Sequence, residues 1–247
     1  EGQGQLLLLT DLTETRDLQQ RLSRHQRLSE MGRMLSSLAH QIRTPLSAAM
    51  LYAGHLSERE LAPAQTRRFA GKILSRLTHL EQQVRDMLVF AKGDLRLTDT
   101  LRVDALLDAL RQAMEVPVAA AAAEVSFEVQ CPDAQLHCNR DSMVGALMNL
   151  VMNAIQAATP APGVQISVTR KDDELCFAVT DNGPGIAPEL LARLEEPFVT
   201  TKPQGTGLGL SVVRAVARAH GGHFSLRSTP GAGSCASVYL PVWGVES

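Results

Sequence analysis

Two long apolar seams constrain what the first third of the chain can fold into. Apolar residues recur at alternating intervals of three and four, first between Leu28 and Ile42 and again between Phe69 and Ala91. This heptad spacing predicts two amphipathic helices. The polar segment Ser57 to Pro63 separates them, so we expect an antiparallel helical hairpin. One hairpin has too little core alone, and dimerisation into a four-helix bundle is the natural completion.

The pattern changes after Gly93, and residues 94–100 are predicted to be a linker. Beyond it, helices are predicted at 103–118, 141–158 and 208–220, and strands at 125–129, 135–138, 164–169, 175–180, 224–228 and 236–240. This order predicts an α+β domain with one mixed, mainly antiparallel sheet and helices on one face. Residues 183–207 show little periodicity, and a loop of that length is usually functional.

Composition excludes several classes of protein. The 247 residues carry a formal net charge of −2, without the basic excess of a nucleic-acid-binding protein. The apolar runs, such as those at 6–9 and 119–123, fall far short of the ~20 residues of a membrane span. The four cysteines lack Cys-x-x-Cys spacing, which favours free thiols and, without a signal peptide, a cytoplasmic location. The first residue is Glu1 rather than Met, so we expect a fragment.

Two glycine clusters favour a nucleotide site. Asp181 to Gly185 reads DNGPG after a predicted strand, and Gly205 to Gly209 reads GTGLG before a predicted helix. Glycine permits close backbone approach to phosphates and purine rings, and a helix N-terminus attracts anions. The carboxylate of Asp181 can accept a hydrogen bond from the exocyclic amine of adenine. Ordinary turn chemistry is the alternative for this segment.

Polar residues near these clusters extend the candidate site. Asn149 and Asn153 lie one helical turn apart, so their amides share a face, and an amide oxygen of Asn153 can ligate Mg²⁺. Two surface asparagines are the alternative. Between the glycine clusters, a lysine and hydroxyls could close over a triphosphate as a lid, unless the loop is merely solvated; these residues are Phe198, Thr200, Thr201 and Lys202.

His40 lies off the first seam, facing away from the stripe of Leu38 and Ile42, so packing does not explain it. Arg43 and Thr44 place a cation and a hydroxyl within one turn, where they suit phosphate oxygens. Pro45 removes a backbone hydrogen bond and is expected to bend the helix. A plain solvated histidine is the alternative.

Taken together, these segments resemble the sensor histidine kinases of two-component systems. They match, in the family's order, the H box (40–46), N box (149–155), G1 box (181–186), F box (196–198) and G2 box (205–210). The resemblance spans residues 20–242. It implies a dimeric phosphotransfer hairpin followed by a Bergerat-type α/β sandwich, the ATP-binding domain type shared with gyrase and Hsp90.

The resemblance also implies a reaction and its cofactors. ATP and Mg²⁺ would bind the C-terminal domain, His40 would accept the γ-phosphoryl group, and an aspartate of a response regulator would receive it. His40, Gln41, Arg43 and Thr44 are implied as the catalytic group, and Asn153 as the metal ligand. The implied nucleotide site comprises Asn149, Asn153, Asp181, Gly183, Gly185, Phe198, Thr201, Lys202, Gly205, Thr206, Gly207, Leu208 and Gly209.

Gln41 departs from the family pattern, which has Glu or Asp after the phosphoacceptor. Glutamine cannot act as a general base near neutral pH, so slow autophosphorylation is expected. Thr44 is compatible with phosphatase activity. In the family, the residue four positions after the histidine helps orient water. Two alternatives remain: a degenerate kinase acting mainly as phosphatase or scaffold, and a GHKL ATPase doing conformational work.

The resemblance divides the chain into four parts. Residues 1–15 resemble the end of a PAS-like sensor domain, 16–93 form the helical phosphotransfer part, 94–100 the linker and 101–243 the ATP-binding domain. The H box with Leu51 to Ala53 resembles flagellar sensor kinases, whose regulators activate sigma-54 promoters. The expected partners are a second copy of the chain and a response regulator, with no nucleic acid.

Overall fold

A computed structural model describes residues 29, 32, 35–58, 61–92, 95–158, 160–194, 199–200 and 207–243. For His40 and Gln41 it describes the backbone. Several predicted features lie outside the described residues: the PAS-like segment 1–15, the start of the first seam, and the site residues Phe198, Thr201, Lys202, Gly205 and Thr206.

The first part of the structure is the predicted antiparallel helical hairpin. Helix α1 spans Leu35–Glu58 and contains Pro45, and helix α2 spans Pro63–Lys92. The ring of Tyr52 stacks on Phe69 with centroids 5.7 Å apart, and His55 stacks on the same ring at 5.8 Å. Lys72 Nζ donates a hydrogen bond to Tyr52 Oη at 3.4 Å. These contacts fix the register of the two helices near their connection.

Large apolar side chains remain exposed on both helices of the single chain. They are Leu46, Met50, Leu51, Leu74, Leu77, Val84 and Leu88. An exposed apolar surface of this extent is typical of an interaction site. None of the described helices combines the length and apolar character that crossing a bilayer requires.

A mixed sheet organises the second part of the structure. Its five strands lie in the order β2 (Glu124–Val129), β4 (Gly163–Lys171), β5 (Glu174–Asp181), β7 (Ser234–Pro241) and β6 (His223–Ser228). Strands β2 and β4 are parallel, and every other pair is antiparallel. The mixed, mainly antiparallel sheet is therefore confirmed. A separate antiparallel pair joins β1 (Asp99–Arg102) to β3 (Gln135–Cys138).

Helices pack against the alternating apolar residues of this sheet. They are α3 (Val103–Ala121), α4 (Arg140–Ala157) and α6 (Gly209–Ala219). The short helix α5 (Pro188–Arg193) buries no residue and lies on the surface. Ile166, Phe177 and Val238 from the sheet lie in one core with Leu106 of α3 and Leu147 of α4. Burial of these apolar surfaces supplies most of the driving force for the domain.

The structure differs from the predicted elements in three places. The last residues of the predicted linker belong to β1, because Asp99 pairs with Cys138. The predicted loop 183–207 contains α5, whose first turn holds Pro188, a residue pre-organised for that position. Helix α3 continues past Pro117 to Ala121 and ends where Ala122 adopts a left-handed conformation with φ of 48°.

The four cysteines are all free, as predicted. Cys138 is fully buried next to the β1–β3 pair. Burial, and secondarily the charge of Asp99, raises the pKa of its thiol to about 11. The thiol is therefore protonated at neutral pH and behaves as a small apolar side chain.

The core face of α3 can be tested with two substitutions. Leu106 is fully buried, so Leu106→Ala should lower the free energy of unfolding by about 2–5 kcal/mol. Val116 on the same helix is 76% exposed, and Val116→Ala should change it by less than about 0.5 kcal/mol. Urea unfolding followed by circular dichroism measures both. Equal losses would contradict this orientation of α3.

Candidate functional site

The predicted asparagines meet the start of helix α6. Asn149 and Asn153 lie on α4, and α6 begins at Gly209. A Cβ atom at position 209 would lie 3.8 Å from Asn153 Nδ2 and 3.9 Å from Asn149 Cγ. Leu208, just before the helix, is fully buried and anchors this end. The backbone N–H groups that open α6 therefore lie beside two side-chain amides, a combination suited to an anion.

Asp181 lies at the end of β5 and is buried. Its Oδ1 accepts a hydrogen bond from the Gly183 N–H at 2.8 Å. A Cβ at position 183 would lie 2.8 Å from the same oxygen and 3.1 Å from the Ala157 carbonyl oxygen at the end of α4. Only glycine fits this gap, and Gly183 therefore lies between the Asp181 carboxylate and the end of the helix that carries Asn153.

The loop after Asp181 is fixed by the β6–β7 turn. Gly185 has a φ of +71°, and a Cβ there would clash with the carbonyl oxygen of Thr229. Gly231 N donates to Pro184 O at 2.7 Å, and Ile186 N donates to Ser228 Oγ at 2.8 Å. The structure thus gives a conformational reason for glycine at position 185 and holds the first glycine cluster rigid.

The hairpin reaches the same site through α2. Asp86 is only 7% exposed, and its Oδ1 accepts a hydrogen bond from Asn149 Nδ2 at 3.5 Å. Met87 and Val89 pack against the core of the second domain. The register set by Tyr52 and Phe69, continued along the hairpin, places the His40 backbone level with the segment of α2 about one turn before Asp86.

The structure brings together only part of the predicted set. Assembled around α4 and α6 are Asn149, Asn153, Asp181, Gly183, Gly207, Leu208 and Gly209, and Gly185 lies in the loop after Asp181, against the β6–β7 turn. Arg43 and Thr44 are exposed on α1, in the turn that follows His40. Thr200 is also exposed.

Sequence pattern alone did not point to two residues of this region. The first is Asp86. It follows Gln83 by three positions, and this pair of polar residues beside an apolar seam was the available signal. Gln83 and Asp86 are both buried in the structure. His220 ends α6 just before two glycines and is 3% exposed. A histidine at the end of an apolar helix gives no indication of the partners that it finds in the folded chain.

Two family models match the chain in sequence. Residues 30–96 match the His Kinase A (phospho-acceptor) domain. Residues 138–244 match the histidine kinase-, DNA gyrase B- and HSP90-like ATPases. The first match contains His40, and the second contains all the assembled site residues named above.

Individual proteins show the same relationship. The sensor protein kinase FleS of Pseudomonas aeruginosa is 57% identical over 239 residues, which are 97% of this chain and 59% of FleS. The catalytic domain of histidine kinase ThkA is 28% identical with a TM-score of 0.54, covering 60% of this chain and 96% of that one. Full-length ShkA, solved in complex with AMPPNP, is 27% identical with a TM-score of 0.63, covering 85% of this chain and 46% of that one.

The chain thus spans somewhat over half the length of FleS. Within that span, the order of the two matched domains and the helical hairpin beside an α/β domain agree with these relatives. DNA gyrase B- and HSP90-like ATPases share only the second domain type, so the preceding phospho-acceptor domain decides between the groups. The chain therefore belongs to the sensor histidine kinases.

Proposed function

We propose that this chain is an ATP-dependent protein-histidine kinase that phosphorylates itself on His40 and passes the phosphoryl group to an aspartate of a response regulator. The observation that carries the proposal is the meeting of Asn149, Asn153 and Gly209. It supports a phosphate-binding site at the start of α6, with Asp181 held close to the same end of α4. ShkA, which binds the ATP analogue AMPPNP in its crystal structure, supports ATP as the nucleotide.

Asp181 is proposed to recognise adenine. Because Gly183 N–H bonds Oδ1, the carboxylate has a fixed orientation, and its remaining acceptor capacity suits the adenine amine. The N–H groups at the start of α6 would receive the phosphates. Thr201 and Lys202 are proposed to close over them, as the lid expected from their loop.

The donors near α4 fit Mg²⁺. The side chains there offer amide and carboxylate oxygens, which Mg²⁺ prefers, and the described residues contain no group of three or more His, Cys, Asp or Glu that could form an all-protein site. Asn153 is proposed to hold the ion through its amide oxygen, with the nucleotide phosphates supplying further oxygens. When bound, Mg²⁺ would neutralise charge on the phosphates.

The proposed chemistry is an in-line displacement at the γ-phosphorus. A ring nitrogen of neutral His40 forms the P–N bond while the bond to the ADP oxygen breaks, and the imidazole proton leaves to solvent or a base. Gln41 cannot take that proton near neutral pH. The phosphoryl group then passes from His40 to a carboxylate oxygen of the regulator's aspartate.

A second copy of the chain is the proposed partner for the exposed apolar side chains of α1 and α2. A four-helix bundle would bury Leu46, Met50, Leu74 and Leu77 against their counterparts. The match to the phospho-acceptor domain supports this arrangement. The response regulator is proposed to dock on the hairpin near Pro45, where Arg43 and Thr44 are exposed.

The proposal extends to an upstream module, a location and a biological role for the protein. We infer a PAS-like module ending at residues 1–15, a cytoplasmic location, and a flagellar role with a regulator that activates sigma-54 promoters. The 57% identity to FleS supports a close relationship with that protein. Phosphatase activity is the second candidate function, because Gln41 lacks the usual acid and Thr44 is exposed one turn after His40.

Replacing His40 tests the phosphoacceptor. We expect His40→Ala to abolish incorporation of ³²P from γ-labelled ATP into acid-labile, alkali-stable phosphoprotein. His55→Asn on the same helix should retain incorporation, since His55 stacks on Phe69 away from the proposed site. Acid-labile phosphoprotein of undiminished yield in His40→Ala would reject this assignment.

Gln41→Glu tests the missing base. A restored general base should raise the rate of autophosphorylation, by up to about 10²-fold to 10⁴-fold. Gln41→Ala serves as the control and should give no increase, because it removes the amide without adding a carboxylate. Initial rates with saturating Mg·ATP measure the effect. An unchanged rate in Gln41→Glu would overturn the explanation of slow autophosphorylation.

Asp181→Asn tests adenine recognition. Loss of a charged acceptor should weaken ATP binding by about tenfold or more, since hydrogen bonds to charged groups contribute about 1.5–3 kcal/mol. Asp173→Asn, in the exposed β4–β5 turn, should leave the affinity unchanged. Calorimetric titration with AMPPNP measures both variants. Equal affinities for wild type and Asp181→Asn would place adenine elsewhere.

A further inference from the structure

Helices α4 and α6 contact each other near both of their ends. At one end, Gly209 opens α6 beside Asn149 and Asn153. At the other, His220 ends α6 beside Asn139, the residue that precedes α4. The helices are therefore antiparallel over the whole length of α6. A shift of α6 at its His220 end must change how its first turn meets the two asparagines, because a short helix moves as a rigid body.

Both ring nitrogens of His220 are used within the protein. Asn139 N donates to His220 Nε2 at 3.0 Å, which requires Nε2 to be unprotonated. Nδ1 lies 2.7 Å from the Val216 carbonyl oxygen, which can only accept, so Nδ1 carries the proton. The imidazole is 3% exposed. These two bonds define one neutral tautomer, and protonation at Nε2 would set its N–H against the N–H of Asn139.

The partner of His220 is the capping residue of α4. Asn139 Oδ1 accepts from Ser142 N at 3.0 Å and from Ser142 Oγ at 2.7 Å. Its Nδ2 donates to the Arg96 carbonyl oxygen at 3.3 Å. An N-cap side chain satisfies backbone N–H groups that the helix itself leaves without partners. Hence His220 holds the residue that begins the asparagine helix, and it is itself the end of the helix that receives the phosphates.

We propose that His220 is a positioning residue for the nucleotide site, which fixes α6 against α4 and causes nucleotide affinity to fall when its imidazole is protonated. The inference rests on the proposed function, because it concerns the nucleotide that α6 would bind. His220 would thus control nucleotide binding without contacting the nucleotide.

The direction of the pH effect follows from the surroundings of His220. Burial lowers the pKa of the imidazole below its ordinary value; the hydrogen bond to Val216 opposes this, and the charge of His137 on β3 lowers it further. The other ionisable groups on the elements around it are Asp99 and Arg102 on β1, Cys138 on β3, Arg140 and Asp141 on α4, Arg214 and Arg218 on α6, and His223 and Arg227 on β6. His220 is therefore neutral at pH 7, and its contribution disappears as the pH falls through this lowered pKa.

The test is calorimetric titration of the 247-residue chain with AMPPNP and Mg²⁺ between pH 7.5 and pH 5. His220→Gln keeps an uncharged donor and acceptor and supplies the baseline for titration of the nucleotide and its other contacts. Relative to this baseline, we expect the affinity of the wild type to fall by about fivefold or more at the acidic end. His55→Gln, which removes a histidine of the hairpin that stacks on Phe69, is the matched control and should retain the pH dependence of the wild type.

His220→Phe completes the set, because it fills the space without either hydrogen bond. It should bind AMPPNP more weakly than His220→Gln at pH 7.5 and without the additional acid sensitivity. Identical pH dependence in the wild type and His220→Gln would overturn the inference while leaving the nucleotide site intact. Absence of AMPPNP binding by the wild type at every pH would overturn the proposed function and the inference with it.

A second measurement uses only the wild type for its result. Linkage is reciprocal, so a nucleotide that favours neutral His220 must lower the pKa of His220 when it binds. Nuclear magnetic resonance titration of the histidine ring protons, with His220 assigned from the spectrum of His220→Gln, gives that pKa with and without saturating AMPPNP. An unchanged pKa would overturn the inference even if the variants fold poorly.

Discussion

The close approach of Gly209 to the asparagine face of α4 is the contact on which the rest of the site depends. The first turn of α6 lies directly against the side-chain amides of α4, and a Cβ at position 209 would already be in van der Waals contact with them. Around it, the buried Leu208 and the core residues Val212 and Val213 hold α6 on the sheet. Apolar packing thus positions the backbone N–H donors at the start of α6.

The contact between Asp86 and Asn149 links the hairpin to the second domain at a sensitive point. The buried carboxylate of Asp86 accepts a hydrogen bond from the side-chain amide of Asn149. Asn149 lies one helical turn from the proposed metal ligand, Asn153. Asn149 therefore contacts both the hairpin, through Asp86, and the first turn of α6, beside Gly209.

Most elements could be predicted because their signals are local. The apolar seams identified α1 and α2, and alternation identified β4 and β5, since these periods reflect burial on one face. The glycine segments could be predicted as a candidate site because their backbone demands are local as well. Strand β1 was not predicted, because a strand of four residues exists only through its pairing with β3. Asp86 and His220 were missed for a related reason: their partners, Asn149 and Asn139, are far away in sequence.

The pairing of β1 with β3 gives the connection between the two domains a definite length. Thr98 N donates to the Cys138 carbonyl oxygen, so the chain is tied down just before β1 begins at Asp99. Only residues 93–97 separate that bond from the end of α2 at Lys92. A segment of this length extends at most about 20 Å. While that bond persists, Thr98 stays within this distance of the end of α2. The short connection therefore limits how far the second domain can move towards a histidine on the hairpin.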